Sequence, residues 1–308
     1  YAAGWHSRRS GLIPLIYKKG YHLLMSTLTR VLTTASAALC ALGASIIAPQ
    51  AAQAATLPDI PTPSSLVHHC APKQVVVIPG GAGTVPVAPD KAPLGHVTSP
   101  VGIRLGNQHN IDTTYVPYQS FGFAATSYPN AAADGYKKAS QTIARIQHDC
   151  PNSSISLVGY SLGSDIASHI INDAAHGRGV LDTRRFASAA LYANPYQGGN
   201  GAAQYPNKPD TNTGSLGQLP GGFGNQGGKV LEVCHSNDAV CTFPDKFRNI
   251  VKPSMSLDML HGKVPLNLVR EMSRHGIGGN VELTRGFIAH NGYGEPDFNA
   301  GVNWINSH

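Results

Sequence analysis

Acidic side chains are missing from the start of this 308-residue chain: none of its 17 Asp and Glu precedes Asp59. Five of the 23 Lys and Arg (Arg8, Arg9, Lys18, Lys19 and Arg30) lie in that same acid-free stretch. The formal net charge of +6 is therefore uneven along the chain, and residues 55–308 carry 18 basic against 17 acidic side chains, a net of +1. A near-neutral body lacks the electrostatic footprint that nucleic-acid binding requires, so no nucleic-acid partner is expected.

Charge of either sign is also absent from Val31 to Ala48. Met25 and Arg30 precede this apolar run, and Ala52-Gln53-Ala54 follows it. A basic start, an apolar centre and a small-residue end describe a secretory signal peptide over residues 25–54, cleaved after Ala54. A transmembrane anchor is the competing reading, but the run is rich in weakly apolar Ala, Thr and Ser. Cys40 follows Leu39 rather than the small residue that lipid attachment needs. Residues 1–24 read as an upstream segment, and the Pro- and Ser-rich residues 55–69 as an extended tether. Residues 70–308 are then long enough for one large domain with its own core. No transmembrane segment is expected in the mature chain.

Cysteine is scarce, and no Cys-x-x-Cys spacing occurs among the five. That argues against a zinc site, and no metal is expected. With Cys40 in the signal segment, Cys70, Cys150, Cys234 and Cys241 remain, an even number in an exported chain. Three pairings are open to four cysteines. Cys234 and Cys241, seven apart, read as a local loop, which leaves Cys70 with Cys150.

No internal repeat is visible, but strand and helix patterns alternate. Gln74 to Ile78 is a short apolar run that ends in Pro79-Gly80-Gly81-Ala82-Gly83-Thr84, a buried strand feeding a Gly loop. Further strands are expected at 113–118, 154–160, 186–193 and 229–234. Helices are expected from Asp134 to His148, with Asp134 in the first turn, from Ser164 to Ala175, over 253–274 and from Asp297 to Ile305. Residues 197–228 are crowded with Gly, Asn and Gln and read as a long surface loop. Such alternation implies a mostly parallel sheet covered on both faces.

Gly159-Tyr160-Ser161-Leu162-Gly163 sits between an apolar strand and a helix, the setting of a nucleophile elbow. A sharp strand-to-helix turn strains the serine backbone, lifts Oγ above the sheet and leaves space only for Gly at both flanks. The adjoining helix N-terminus supplies N–H groups where an oxyanion develops. Serine is a weak nucleophile without a base, and in α/β-hydrolases an acid and then a His follow it in the chain. Asp238 is the favoured acid, in the loop between Cys234 and Cys241, with Asp245 and Asp258 as rivals. His290, in a loop just before the last helix, is the favoured base. His261 and His275 compete, His275 the more strongly because Gly276 and Gly278 would allow a tight loop.

Taken together, these segments resemble the cutinase family of secreted serine esterases, including the cutinase-like proteins of mycolate-bearing actinobacteria. The resemblance is carried by Asp134-Gly135 and Cys150-Pro151-Asn152, by Gly159-Tyr160-Ser161, by Asp238-x-Val-Cys241 and by His290-x-x-Tyr293-Gly294. It implies an α/β-hydrolase three-layer sandwich, disulfides Cys70–Cys150 and Cys234–Cys241, and a triad of Ser161, Asp238 and His290. It further implies an oxyanion hole from the Leu162 N–H and the loop at Gly80–Thr84, where Thr84 matches the hydroxyl-bearing position. Two departures stand out. Leu162 replaces the Gln found in many cutinases, and 52 residues separate Asp238 from His290, so residues 245–285 are expected to be an insertion that could form a lid.

The expected activity is hydrolysis of a carboxylic ester (fatty-acyl, polyester or cell-envelope lipid) by a secreted or envelope-associated monomer without a cofactor. Acyl transfer to a sugar or lipid alcohol would use the same triad. A non-catalytic envelope-binding protein of this fold is the rival from another class.

Overall fold

The computed structural model describes residues 70–81, 83–120, 126, 128–206, 213–242, 285–286 and 288–308. The expected signal segment, tether, helix 253–274 and much of the 245–285 insertion lie outside the described residues, as do Asp245, Asp258, His261 and His275.

Six strands form one parallel sheet: β1 (Lys73–Ile78), β2 (Ile111–Tyr115), β3 (Ser154–Tyr160), β4 (Phe186–Tyr192), β5 (Ala203–Tyr205) and β6 (Val230–Val233). Their spatial order is β2-β1-β3-β4-β6-β5, and every pairing is parallel. Side chains alternate across a strand, so each strand feeds two cores. Val76, Ile78, Ile155, Leu157, Ala189 and Leu191 join one apolar cluster. Their neighbours Val75, Val77, Val158, Tyr160, Ala190 and Tyr192 join the other.

Helices α2 (Tyr128–Asp149) and α3 (Leu162–Ala175) cover the first face, contributing Ala139, Ile143, Ile146, Ile166 and Ile170. Helices α1 (Thr98–Gly106) and α4 (Glu295–Ser307) cover the second with Val101, Leu105, Phe298, Val302 and Ile305. The architecture is the three-layer α/β sandwich that the alternation implied. No helix among the described residues is long and apolar enough to cross a membrane.

Three expectations need correction. Helix α2 begins at Tyr128, not near Asp134, so Asp134 is not in its first turn. Its carboxylate instead accepts the Gln119 backbone N–H at 2.7 Å and ties the β2–α2 connection to the helix. The described parts of the stretch 197–228 are more structured than a surface loop: they contain β5 and most of a 3-10 turn at Gly224–Lys229. Glu232 explains the packing, because its buried carboxylate on β6 accepts Asn194 Nδ2 at 2.9 Å and Asn200 Nδ2 at 2.8 Å. Burial pushes the Glu232 carboxyl upward, against the opposing pull of those amides. Finally, His290 ends a helical turn (288–290) rather than lying in an open loop.

Both expected disulfides are present. Cys70–Cys150 joins the lead-in to β1 with the end of α2 across 80 residues, and Cys234–Cys241 closes seven.

Candidate active site

Ser161 stands at the N-terminus of α3, between that helix and the end of β3. Its backbone takes φ 54° and ψ −118°, a conformation that L-residues rarely adopt and that costs about 1–3 kcal/mol. Surrounding contacts hold it there: the Ser161 N–H donates to Tyr192 C=O at 2.9 Å, and Ser164 Oγ donates to the same oxygen at 2.7 Å. The two flanking glycines are steric requirements. A Cβ on Gly163 would lie 2.0 Å from Ile78 O and 2.6 Å from Pro79 O, at the end of β1. A Cβ on Gly159 would lie 2.7 Å from Gly163 O and 2.8 Å from Ser164 Cα. The helix can begin this close to the sheet only because both side chains are absent.

The fold brings together all three residues expected to form a triad. His290 Nε2 lies 3.0 Å from Ser161 Oγ, and His290 Nδ1 lies 3.1 Å from each oxygen of Asp238. Nδ1–H donating to the carboxylate leaves the Nε2 lone pair aimed at the hydroxyl, the tautomer a general base needs. Asp238 is fully buried. The Val240 N–H, at 2.7 Å from Oδ1, and the Tyr293 hydroxyl, at 2.7 Å from Oδ2, supply its remaining donors. A buried carboxylate is stable only with such partners.

Tyr160, the variable residue before the nucleophile, holds the histidine from a second side. Its ring stacks on His290 with centroids 5.1 Å apart and planes 20° apart, while its hydroxyl donates to His290 C=O at 2.7 Å. His96 meets the Tyr160 ring edge-on at 4.9 Å. Burial first, and then the charge of Asp238, keeps the Tyr160 hydroxyl well above its ordinary range, so it remains a neutral donor.

The two expected oxyanion donors differ in setting. Leu162 opens α3, and the first helical bond runs from the Asp165 N–H to Ser161 C=O, so the Leu162 N–H precedes the helical ladder. Thr84 lies in the turn after β1, almost buried. Its carbonyl accepts Ser120 Oγ at 2.6 Å, and its hydroxyl leans toward Val85 O at 3.4 Å. That hydroxyl is oriented within its own loop. Among the described residues, no group of three or more His, Cys, Asp or Glu is arranged to hold a metal.

A model of the Cutinase family matches residues 91–250, slightly more than half of the chain. The chain belongs to the cutinase family. As a member of a family of serine esterases, it is a serine carboxylic ester hydrolase. It is 22% identical over 225 residues to the carboxylesterase Culp6 homolog of Corynebacterium glutamicum, covering 63% of this chain and 72% of that protein. It is also 26% identical over 188 residues to a cutinase of Blumeria hordei, covering 60% of this chain and 67% of the other. The catalytic core domain of acetyl xylan esterase from Trichoderma reesei shares the fold. It has a TM-score of 0.50 at 17% identity, over 78% of this chain and 99% of that one.

Reading the sequence alone overlooked two parts of this cutinase-family site. Tyr160 was only the variable position of the elbow, and Tyr293 only part of the frame around His290. Neither phenol has a partner that spacing could reveal, since Tyr293 and Asp238 are 55 residues apart.

Proposed function

We propose that Ser161, His290 and Asp238 hydrolyse a fatty-acyl, polyester or cell-envelope lipid ester through an acyl-enzyme. The observation that carries this reading is the continuous Ser161 Oγ–His290 Nε2–His290 Nδ1–Asp238 series, at 3.0 and 3.1 Å. His290 takes the Ser161 proton as Oγ attacks the ester carbonyl. The Leu162 N–H stabilises the oxygen of the tetrahedral intermediate, and Thr84 is the second donor once its hydroxyl turns from Val85 O. Protonated His290 then delivers its proton to the departing alcohol. A water molecule, deprotonated by His290, attacks the acyl-enzyme and releases the acid. Asp238 keeps the imidazole in the required tautomer and balances its charge. Two disulfides support export to an oxidising compartment, and residues 25–54 are the segment that would direct it.

A fluorophosphonate should label the wild-type protein on Ser161 and leave Ser161→Ala unlabelled. The same substitution should lower kcat on p-nitrophenyl esters by at least ~10³-fold. Esters of graded acyl length would then define the acyl pocket. Equal labelling of Ser161→Ala would defeat this reading.

A further inference from the structure

Asp238 receives three donors in a symmetric arrangement. His290 Nδ1 is centred at 3.1 Å from both oxygens, while Val240 N–H anchors Oδ1 and the Tyr293 hydroxyl anchors Oδ2, each at 2.7 Å. With one anchor per oxygen, the carboxylate plane is fixed facing the imidazole. Remove the phenol, and the carboxylate can swing about the remaining Val240 bond.

Tyr293 is itself held from several sides. Its ring stacks on His235 with centroids 4.4 Å apart and planes 17° apart, and its edges meet Tyr160 at 5.9 Å and Tyr192 at 6.2 Å. His235 is fixed in turn by Asp297 Oδ2 at 3.0 Å, the same oxygen that accepts the Gly294 N–H at the start of α4. The phenol is thus set by the loop after β6 and the first turn of α4 together.

We propose that Tyr293 is a positioning residue of the catalytic relay, its hydroxyl orienting Asp238 and spreading the carboxylate charge so that His290 keeps its alignment on Ser161. This rests on the triad assigned above. Buried, and beside the Asp238 charge, Tyr293 is held far above the ordinary tyrosine range and stays a neutral donor. The titratable groups around this carboxylate are His290, Tyr293 and Tyr160, with His235 and Asp297 behind Tyr293 and His96 against Tyr160.

Tyr293→Phe in the full chain removes one oxygen and keeps the ring. Loss of a donor to a buried charge should lower kcat about tenfold or more with KM within about twofold. A carboxylate with fewer donors pulls harder on protonated imidazole, so the acid limb of the kcat/KM profile should move to higher pH. Installing 3,5-difluorotyrosine at position 293 strengthens the donor with only a small increase in ring size, and should move that limb to lower pH. An unmoved limb with wild-type kcat in Tyr293→Phe, or an unmoved limb in the fluorinated protein should the Phe variant fail to fold, would overturn the proposal. His290→Ala separates this from the underlying reading. If it stays active, the triad assignment fails. If it is inactive while Tyr293→Phe matches wild type, the role of Tyr293 alone fails.

Discussion

Among the described residues the same trio of side chains occurs twice, once at the end of the sheet and once between α2 and α3. In the first, buried Asp238 faces His290 Nδ1 at 3.1 Å and accepts the Tyr293 hydroxyl at 2.7 Å. In the second, buried Asp165 faces His169 Nδ1 at 2.8 Å and accepts the Tyr128 hydroxyl at 2.5 Å. Distances alone would rank the second trio higher. What differs is the far side of the imidazole. His290 is largely enclosed and meets Ser161 Oγ at 3.0 Å, whereas the His169 side chain is 42% exposed and lies edge-on to Tyr196. An aspartate-oriented histidine becomes a catalytic base only where the fold delivers a nucleophile to its second nitrogen. Elsewhere, the same chemistry ties a helix to its surroundings.

The sharpest way to break the comparison is to remove each histidine in turn. His290→Ala should lower kcat by at least ~10³-fold, whereas His169→Ala should stay within about twofold. Asp238→Asn should fall by about as much as His290→Ala, since the amide favours the wrong imidazole tautomer. Steady-state rates on a short-chain p-nitrophenyl ester, beside circular dichroism, decide the matter. An active His290→Ala enzyme would move the base elsewhere, with His275 next in line.

How much of this was legible in the sequence depends on the range of the interaction. Gly159 and Gly163 announce the elbow because both flank Ser161 within two residues, although the backbone that excludes a Gly163 side chain belongs to distant Ile78 and Pro79. The strand–helix alternation announced the layers because burial follows a local period. The proposed acid and base lie 77 and 129 residues beyond Ser161, so chain order and loop position gave candidates with rivals, and the family resemblance singled out Asp238 and His290. Tyr293 and Tyr160 were invisible as clamps because a phenol's partner is set by tertiary packing. The early start of α2 did have a signal: Pro129, the second residue of the helix, suits a first turn whose N–H groups have no helical partner. β5 offered none, being a three-residue edge strand with half-buried side chains. Residues 197–228 misled through composition. Their polar side chains looked solvent-facing, yet Glu232 gathers Asn200 inward.

The two disulfides sharpen the comparison at an intermediate level. Cys70–Cys150 closes an 80-residue loop away from the site, and Cys234–Cys241 closes the short loop that carries Asp238. Loop-closure entropy assigns the first about 4.5 kcal/mol and the second about 2.4 kcal/mol of stability. Cys70→Ser with Cys150→Ser should therefore shift the denaturant midpoint more and kcat less. Cys234→Ser with Cys241→Ser should do the reverse, loosening Asp238 and lowering kcat severalfold. Urea unfolding and rates on the folded variants test this, and it fails if the longer bridge governs kcat.

The smallest expected effect concerns the second trio, where charge rather than catalysis is at stake. The Asp165 carboxylate, by hydrogen bonding first and charge second, raises His169 above the ordinary histidine range, although partial burial pulls the other way. The folded state therefore holds the His169 proton more tightly than the unfolded chain, whose histidine titrates near ~6.5. The resulting stabilisation is complete below that pH and is lost as pH rises through the higher folded value. Solvent at the exposed ring screens it, so the effect is modest. His169→Asn keeps a neutral donor near the Nδ1 position and removes the titrating charge. The wild type should consequently exceed His169→Asn in Tm at pH 5.5, and the gap should shrink by pH 9. Helix propensity and packing differ equally at both pH values, so they shift the baseline and leave the slope alone. A gap that is constant, or that widens with pH, would mean that Asp165 holds His169 by geometry alone.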